Sequence, residues 1–170
     1  MQIRELGAED ARMFQVLRLA ALRECRSAFA SSCEEEHETP IDVVAERLTA
    51  KADRCVLGAW HDSNLVGMLG LQRETMRKLA HKAFLWGMYV APIARRRGVG
   101  RQLLEHALAR ARSMTGVRQV NLGVNAANVE AIALYEASGF APFGLERGFM
   151  LLDGEPHDEI LMVRAVGSNG

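Results

Sequence analysis

Three arginines, Arg95-Arg96-Arg97, run directly into Gly98-Val99-Gly100 and the helical pattern RQLLEHALARARSM. An apolar, strand-like stretch ends just before them at Val90, and a short connection containing Pro92 joins the two. The first amides of a helix lack intrahelical partners and lie at the positive end of its dipole. A basic, glycine-bearing turn that opens a helix is therefore suited to gripping a phosphate. Glycine also lets the backbone approach an anion without interference from Cβ. The spacing excludes two phosphate loops. A Walker-type loop needs Lys-Ser/Thr after its last glycine, where Arg101-Gln102 stand, and a dinucleotide fingerprint needs a glycine where Leu103 stands. What remains is R-x-x-G-x-G, from Arg95 through Gly98 to Gly100, a pattern that an ordinary solvated turn can also show.

A second segment carries a phenol. Residues 125–140 read NAANVEAIALYEASGF. Asn128 is a good N-cap, Val129, Ile132 and Ala133 read as one apolar face, and Gly139 is a suitable stop. Within it stands N-x-x-A-x-x-L-Y-x-x-x-G-F, as Asn128, Ala131, Leu134, Tyr135, Gly139 and Phe140. With the R-x-x-G-x-G loop upstream, and a helix and a strand between them, this pair of motifs resembles the GNAT superfamily of acyl-CoA-dependent N-acetyltransferases. The resemblance is good from about Leu65 to Phe140 and thinner on either side.

That resemblance implies acetyl transfer from acetyl-CoA (coenzyme A as co-substrate, no metal) to a primary amine, by direct attack in a ternary complex. It assigns the pyrophosphate to Arg95, Arg96, Arg97, Gly98, Val99, Gly100 and Arg101, chiefly through backbone amides. Solvent exposure is the plainer account of any single arginine. It also implies that the strand before the loop bulges and splays, with Met88, Tyr89 and Val90 meeting the donor through backbone groups. Gly87 suits a bulge or a close approach. Tyr135 matches the general acid for the coenzyme A thiolate, and Asn128 a coenzyme contact that is also an N-cap. A phenol can serve as such an acid, although a tyrosine packed on its helix is the structural alternative.

The general base is less defined. The strand AFLWGMYV has no ionisable residue besides Tyr89. Glu34, Glu35, Glu36 and His81 remain as candidates, with Glu36 the one chosen, although three successive glutamates usually form a solvated loop. Binding an amine already deprotonated would make a dedicated base unnecessary. By resemblance, the acceptor pocket is lined by the first two helices and the final hairpin. Phe29, Trp86, Phe149 and His157 are its candidates, with core packing an equal account of Trp86 and Phe149.

Several elements must position these groups. Met1–Glu5 reads as a strand, and from Ala8 to about Arg26 Met13, Val16, Leu17, Ala20, Ala21 and Leu22 recur at helical spacing. Thr39 and Pro40 announce a helix with Ile41, Val44 and Leu48 on one face. Cys55–Trp60 and Leu65–Leu71 form a hairpin around His61–Asn64, and Ala83–Val90 is the next strand. The helix from Gly98 to Thr115 precedes a strand with Val120, Leu122 and Val124 on one side. Leu145–Leu152 and Ile160–Val166 close the pattern as a hairpin about Asp153-Gly154. The expected fold is α/β: a single GNAT-like domain over residues 1–166, a central mixed, mostly antiparallel twisted sheet flanked by helices, and a loose tail at 167–170.

Basic and acidic side chains balance at 21 each, which argues against nucleic acid as the main partner. No segment has the length of a membrane span and the N-terminus lacks a secretory pattern. Cys25, Cys33 and Cys55 lack a C-x-x-C spacing, which reads as reduced thiols in the cytoplasm. The five histidines show no metal-ligand spacing. The leading expectation is a cytoplasmic enzyme acting on a small-molecule amine, with a homodimer compatible. Its rivals are a protein or peptide N-acetyltransferase, a non-catalytic acyl-CoA sensor, and a nucleotide-binding protein with a coincidental loop.

Overall fold

The computed structural model describes residues 1–167. Its seven strands are β1 (Gln2–Glu5), β2 (Arg54–His61), β3 (Asn64–Arg73), β4 (Lys82–Val90), β5 (Gln119–Asn125), β6 (Ala141–Leu152) and β7 (Glu155–Ala165). They form one sheet in the order β1-β2-β3-β4-β5-β7-β6. Every neighbouring pair is antiparallel except β4 and β5, which run parallel. Helices α1 (Ala11–Glu24), α2 (Cys33–His37), α3 (Ile41–Leu48), α4 (Val99–Ser113) and α5 (Val129–Ala137) flank it. The mixed, mostly antiparallel α/β architecture is the expected one. Of the expected tail, Gly167 lies in no helix or strand and 168–170 lie outside the described residues.

Alternation along the strands divides the core into two layers. Val120, Leu122 and Val124 of β5 pack with Leu103, Leu104, Ala107 and Leu108 of α4. On the other face, Phe14, Leu17 and Leu22 of α1 meet Val44 and Leu48 of α3 over Val56, Met68 and Tyr89. The opposite residues of β5, Asn121, Gly123 and Asn125, thus look toward the α1 side.

Four local expectations need correction. Helix α1 buries the stripe Phe14, Leu17, Arg18, Ala21 and Leu22, while Met13 and Val16 are exposed. Both stripes have helical spacing, and an arginine in the buried one disguised it. Glu34–Glu36 are not in a loop but in α2, because Ser32 and Glu35 form a reciprocal capping box: Ser32 Oγ accepts from the Glu35 amide at 3.2 Å, and the Glu35 carboxylate from the Ser32 amide at 2.8 Å. Pro40 caps α3 and Ile41 opens it, one position later than expected. On α5, Ala131, Ile132 and Leu134 pack on the core with Tyr135, whereas Val129 is exposed.

Candidate active site

Parallel pairing between β4 and β5 covers only Lys82–Phe84 against Gln119–Asn121. Beyond Phe84 the strands part, and β4 continues to Val90 on β3 alone. Its register slips so that Gly87 and Met88 together oppose Leu69, with Gly87 at φ +66°. Two residues against one make a bulge, and the positive φ is why glycine occupies it. The Ala91 amide donates to Val66 O toward β3 at 2.8 Å, so strand alternation turns the Val90 amide toward the open edge.

Directly after β4, a 3-10 turn at Pro92–Ala94 leads to the loop Arg95–Gly98, and α4 starts at Val99. Gly98 is the N-cap in the left-handed region, at φ +75°. The first intrahelical bond comes from the Gln102 amide to Gly98 O at 3.0 Å, so the amides of Val99, Gly100 and Arg101 precede the helical ladder. Gly100 serves a different need, space: a Cβ there would lie 3.0 Å from Leu134 Cδ2 and 3.2 Å from Met88 Cε. The helix start is thus pressed against both β4 and α5.

The three arginines diverge. Arg95 Nε donates to Val90 O at 2.9 Å, its Nη2 pairs with Glu24 at 2.8 Å, and its guanidinium lies 5.6 Å from the Tyr89 ring centroid. Although exposed, it ties the loop to the end of α1. Tyr89 donates a short hydrogen bond to Glu24, and burial followed by that bond pushes its phenol well up. The Tyr89 hydrogen bond, then Arg95, holds the Glu24 carboxyl below its ordinary range. Arg96, at φ +58°, and Arg97 are exposed. Arg101 pairs with Glu105 one turn along α4 at 2.9 Å.

A cleft of about 100 Å³ fills the splay between β4 and β5, bordered by Gly87, Met88, Asn128, Leu134 and Tyr135. Asn128 Oδ1 caps α5 by accepting from the Ala131 amide at 3.1 Å. Tyr135 is 7% exposed, and its ring meets Phe140 edge-on at 6.0 Å. Its hydroxyl has no hydrogen-bond partner among the described residues, where a buried tyrosine usually finds one. Burial pushes its phenol up to about 12. It is therefore protonated at neutral pH, the form a general acid must have.

Glu36 is not in this cleft. It pairs with Arg47 at 2.9 Å and Arg18 at 3.5 Å, in a separate cavity of about 300 Å³ behind Trp86. Its carboxylate is thus engaged by two arginines and does not face Tyr135. His81 is at the other end of β4, where its carbonyl accepts from the Arg118 amide at 2.8 Å. Among the expected acceptor residues, Phe29, Trp86 and Phe149 do gather around a cavity of about 280 Å³ contiguous with the cleft. His157 stands beside it, with Nδ1 3.4 Å from Asn125 Nδ2.

The same cavity is lined by Arg18, Asn125 and Glu159, which sequence reasoning did not single out. Asn125 and Glu159 are register partners on β5 and β7, a pairing invisible before the strand order is known. Arg18 carried one signal, a charge at a core position of α1. Asn125 Nδ2 donates to Ser27 O at 3.0 Å, fastening the cavity's rim to the segment after α1.

Comparison with known proteins agrees with this geometry. The model of the acetyltransferase (GNAT) family matches residues 19–140. The ribosomal protein bS18-alanine N-acetyltransferase of Salmonella typhimurium is 38% identical over 81 residues, 48% of this chain and 54% of that protein. The chain therefore spans about half the length of the curated relatives it matches. A GNAT-family acetyltransferase from Streptococcus pneumoniae superposes with a TM-score of 0.84 at 20% identity, over 98% of this chain and 99% of that one. The Salmonella typhimurium protein yncA, solved with its cofactor acetyl-CoA, reaches 0.81 at 17% identity over 100% and 96%. At such identities the likeness concerns the fold, and no helix among the described residues is long and apolar enough to cross a membrane. With a family model covering most of its length and a sheet that opens beside a glycine-led helix, this chain belongs to the GNAT family of acetyltransferases.

Proposed function

We propose that the chain transfers an acetyl group from acetyl-CoA to a primary amine, with both held together at the gap between β4 and β5. The observation that carries this is Tyr135, whose hydroxyl has no hydrogen-bond partner among the described residues, lining a cleft contiguous with a second cavity. Met88 and Leu134 of that lining lie against the start of α4 at Gly100. The residues fit the donor. The amides of Val99, Gly100 and Arg101 would hold its pyrophosphate, with Arg96 and Arg97 adding charge at the rim. The Val90 amide, on the open edge, would polarise the thioester carbonyl. One preorganised N–H of this kind is worth roughly 3 kcal/mol to a transition state. Tyr135 would give its proton to the departing sulfur.

Neutral overall charge supports a small amine weakly. A second reading, the α-amine of a peptide, is supported by the curated relatives, whose names specify the alanine of a ribosomal protein. The test is mass-spectrometric detection of acetylated products from acetyl-CoA with pooled amino acids, polyamines, aminoglycosides and short peptides. An acetylated amine is the expected result. Tight coenzyme A binding with no product from any amine would overturn it in favour of a sensor.

A further inference from the structure

We infer that Arg18 and Glu159 form the acceptor subsite, shaped for an α-amino acyl unit: Glu159 receives the ammonium and accepts its proton, and Arg18 donates to the neighbouring carbonyl or carboxylate oxygen. This rests on the acetyltransferase reading above.

Glu159 is held where a β5 side chain would otherwise be. A Cβ on Gly123 would lie 2.4 Å from the Glu159 carboxyl carbon and 2.5 Å from both its oxygens. The absence of a side chain at 123 thus admits the carboxylate to the floor of the 280 Å³ cavity. That cavity shares Phe29, Trp86, Gly87, Gly123 and Asn125 with the cleft beside Tyr135, so an amine bound at Glu159 faces the opening where the thioester would lie.

Arg18 meets the same space from α1. Its residue is only 6% exposed. Nη2 reaches Ser31 Oγ and Glu36, each at 3.5 Å, and the guanidinium stacks 4.9 Å from the Phe29 ring centroid. Nη1 is buried with no partner among the described residues and lies 3.5 Å from the position a Cβ on Gly87 would take. A buried, unpaired donor is costly to keep, and an acceptor's oxygen at the bulge would satisfy it. The walls carry opposite charge. Arg18 and Arg47 share the single carboxylate of Glu36, which leaves one net positive charge. Opposite stand Glu159 and Asp158, with Glu146 paired to Glu159 across β6. An ammonium beside a carbonyl or carboxylate oxygen matches that dipole.

The Glu159 carboxylate takes one proton from the ammonium. The freed nitrogen lone pair forms the N–C bond to the acetyl carbonyl carbon as the C–S bond breaks. Tyr135 gives its proton to the sulfur and is restored by the second proton leaving the nitrogen, through water. The products are an amide and a thiol, and Glu159 returns its proton to solvent. Burial first, then Glu146, pushes the Glu159 carboxyl above its ordinary value, which strengthens it as a proton acceptor. The other groups facing it are Asp158, Asn125, His157 and, across the cavity, Arg18.

The test compares alanine, an alanine-initiated peptide amide and isopropylamine, which keeps the amine but lacks the oxygen. Alanine or the peptide should exceed isopropylamine in kcat/KM by at least about tenfold, and which of them does so identifies the source of the acyl unit. Glu159→Gln should lower kcat by at least about tenfold and abolish the acid limb of its pH profile. Gly123→Ala, which evicts the carboxylate while keeping Glu159, should do the same. Arg18→Lys should raise KM for the acyl-bearing acceptors alone. Acetyl-CoA affinity should be unchanged in all three variants, which certifies their fold. His157→Gln should retain the acid limb. Wild-type kcat and pH profile in Glu159→Gln, a limb that follows His157, or equal use of isopropylamine would overturn the subsite while leaving the acetyltransferase standing. Acetyl-CoA binding without turnover of any amine would remove both.

Discussion

On the proposed donor side of the gap, the groups that would meet a ligand are backbone amides, at Val90, Val99, Gly100 and Arg101. On the proposed acceptor side they are side chains, Arg18, Trp86, Asn125 and Glu159, delivered by α1, β4, β5 and β7. A backbone site requires particular φ angles and close approaches, and so it is written in contiguous residues. A side-chain site requires only that distant segments converge. The first is robust to most side-chain changes and fragile to changes at glycine, and the second is the reverse. Tyr135 stands at the boundary, borne by α5, and in the proposed mechanism it serves the transfer itself.

The largest effect should come at that boundary. Tyr135→Phe removes one hydroxyl that has no partner among the described residues, so the fold should persist. We expect kcat to fall by about 100-fold, the low end of general acid contributions, with acetyl-CoA affinity unchanged by calorimetry. An unaltered kcat would return Tyr135 to a packing role beside Phe140. Gly98→Val comes next and belongs to the donor side. It places a β-branched residue at φ +75°, where only Gln102 Nε2, at 3.9 Å, approaches the new Cβ. The strain is therefore backbone strain, not collision. Acetyl-CoA should bind about tenfold more weakly, or about 1.4 kcal/mol. Unchanged binding would mean the start of α4 does not hold the pyrophosphate.

Gly70→Ala probes the acceptor side through packing. Its Cβ would fall 2.0 Å from Trp86 Cε2 and 2.4 Å from Cδ2 and Nε1, within the body of a rigid indole. The ring, which borders both the cleft and the acceptor cavity, must move. We expect KM for the acceptor to rise about fivefold, roughly 1 kcal/mol, with little change in acetyl-CoA affinity. If donor affinity falls instead, the two sides are less separable than their construction suggests.

That separation also explains what could be read from the chain before it was folded. The strand–loop–helix run from β4 to α4 and the α5 motif announce themselves through Gly98, Gly100, Asn128 and Tyr135, each within a few residues of the element it serves. The β2–β3 and β6–β7 hairpins were legible because apolar alternation brackets short polar turns. The Glu159 carboxylate over Gly123 was not, because it depends on β7 inserting between β5 and β6. Arg18 was passed over because apolar patterning treats a charge as solvent-facing. Glu36 was chosen from a glutamate run whose pairing with Arg18 and Arg47 requires α1, α2 and α3 to be assembled.

The smallest expected effect on chemistry tests whether the acceptor side depends on where α1 is anchored. Asp10, beneath its first turn, accepts from Arg4 Nη1 and Nη2 at 2.6 and 2.8 Å and from the Gly7 amide at 2.9 Å, clamping the helix start to β1. The Arg4 hydrogen bonds hold the Asp10 carboxyl below its ordinary value of 3.8. A carboxyl depressed in the folded state stabilises above its unfolded value, and this contribution drains as pH falls through the depressed one. Asp10→Asn should thus cost about 1–2 kcal/mol at neutral pH, allowing for the partly exposed Arg4, and flatten the loss of Tm as pH falls below the ordinary carboxylate range. Because α1 carries Arg18 into the proposed acceptor cavity, while its tie to the proposed donor loop is the part-exposed Glu24–Arg95 pair, the variant's residual kinetic defect should lie in acceptor KM. A defect confined to acetyl-CoA affinity would show that the Glu24–Arg95 tie, and not the Arg18 wall, is what the anchoring of α1 protects.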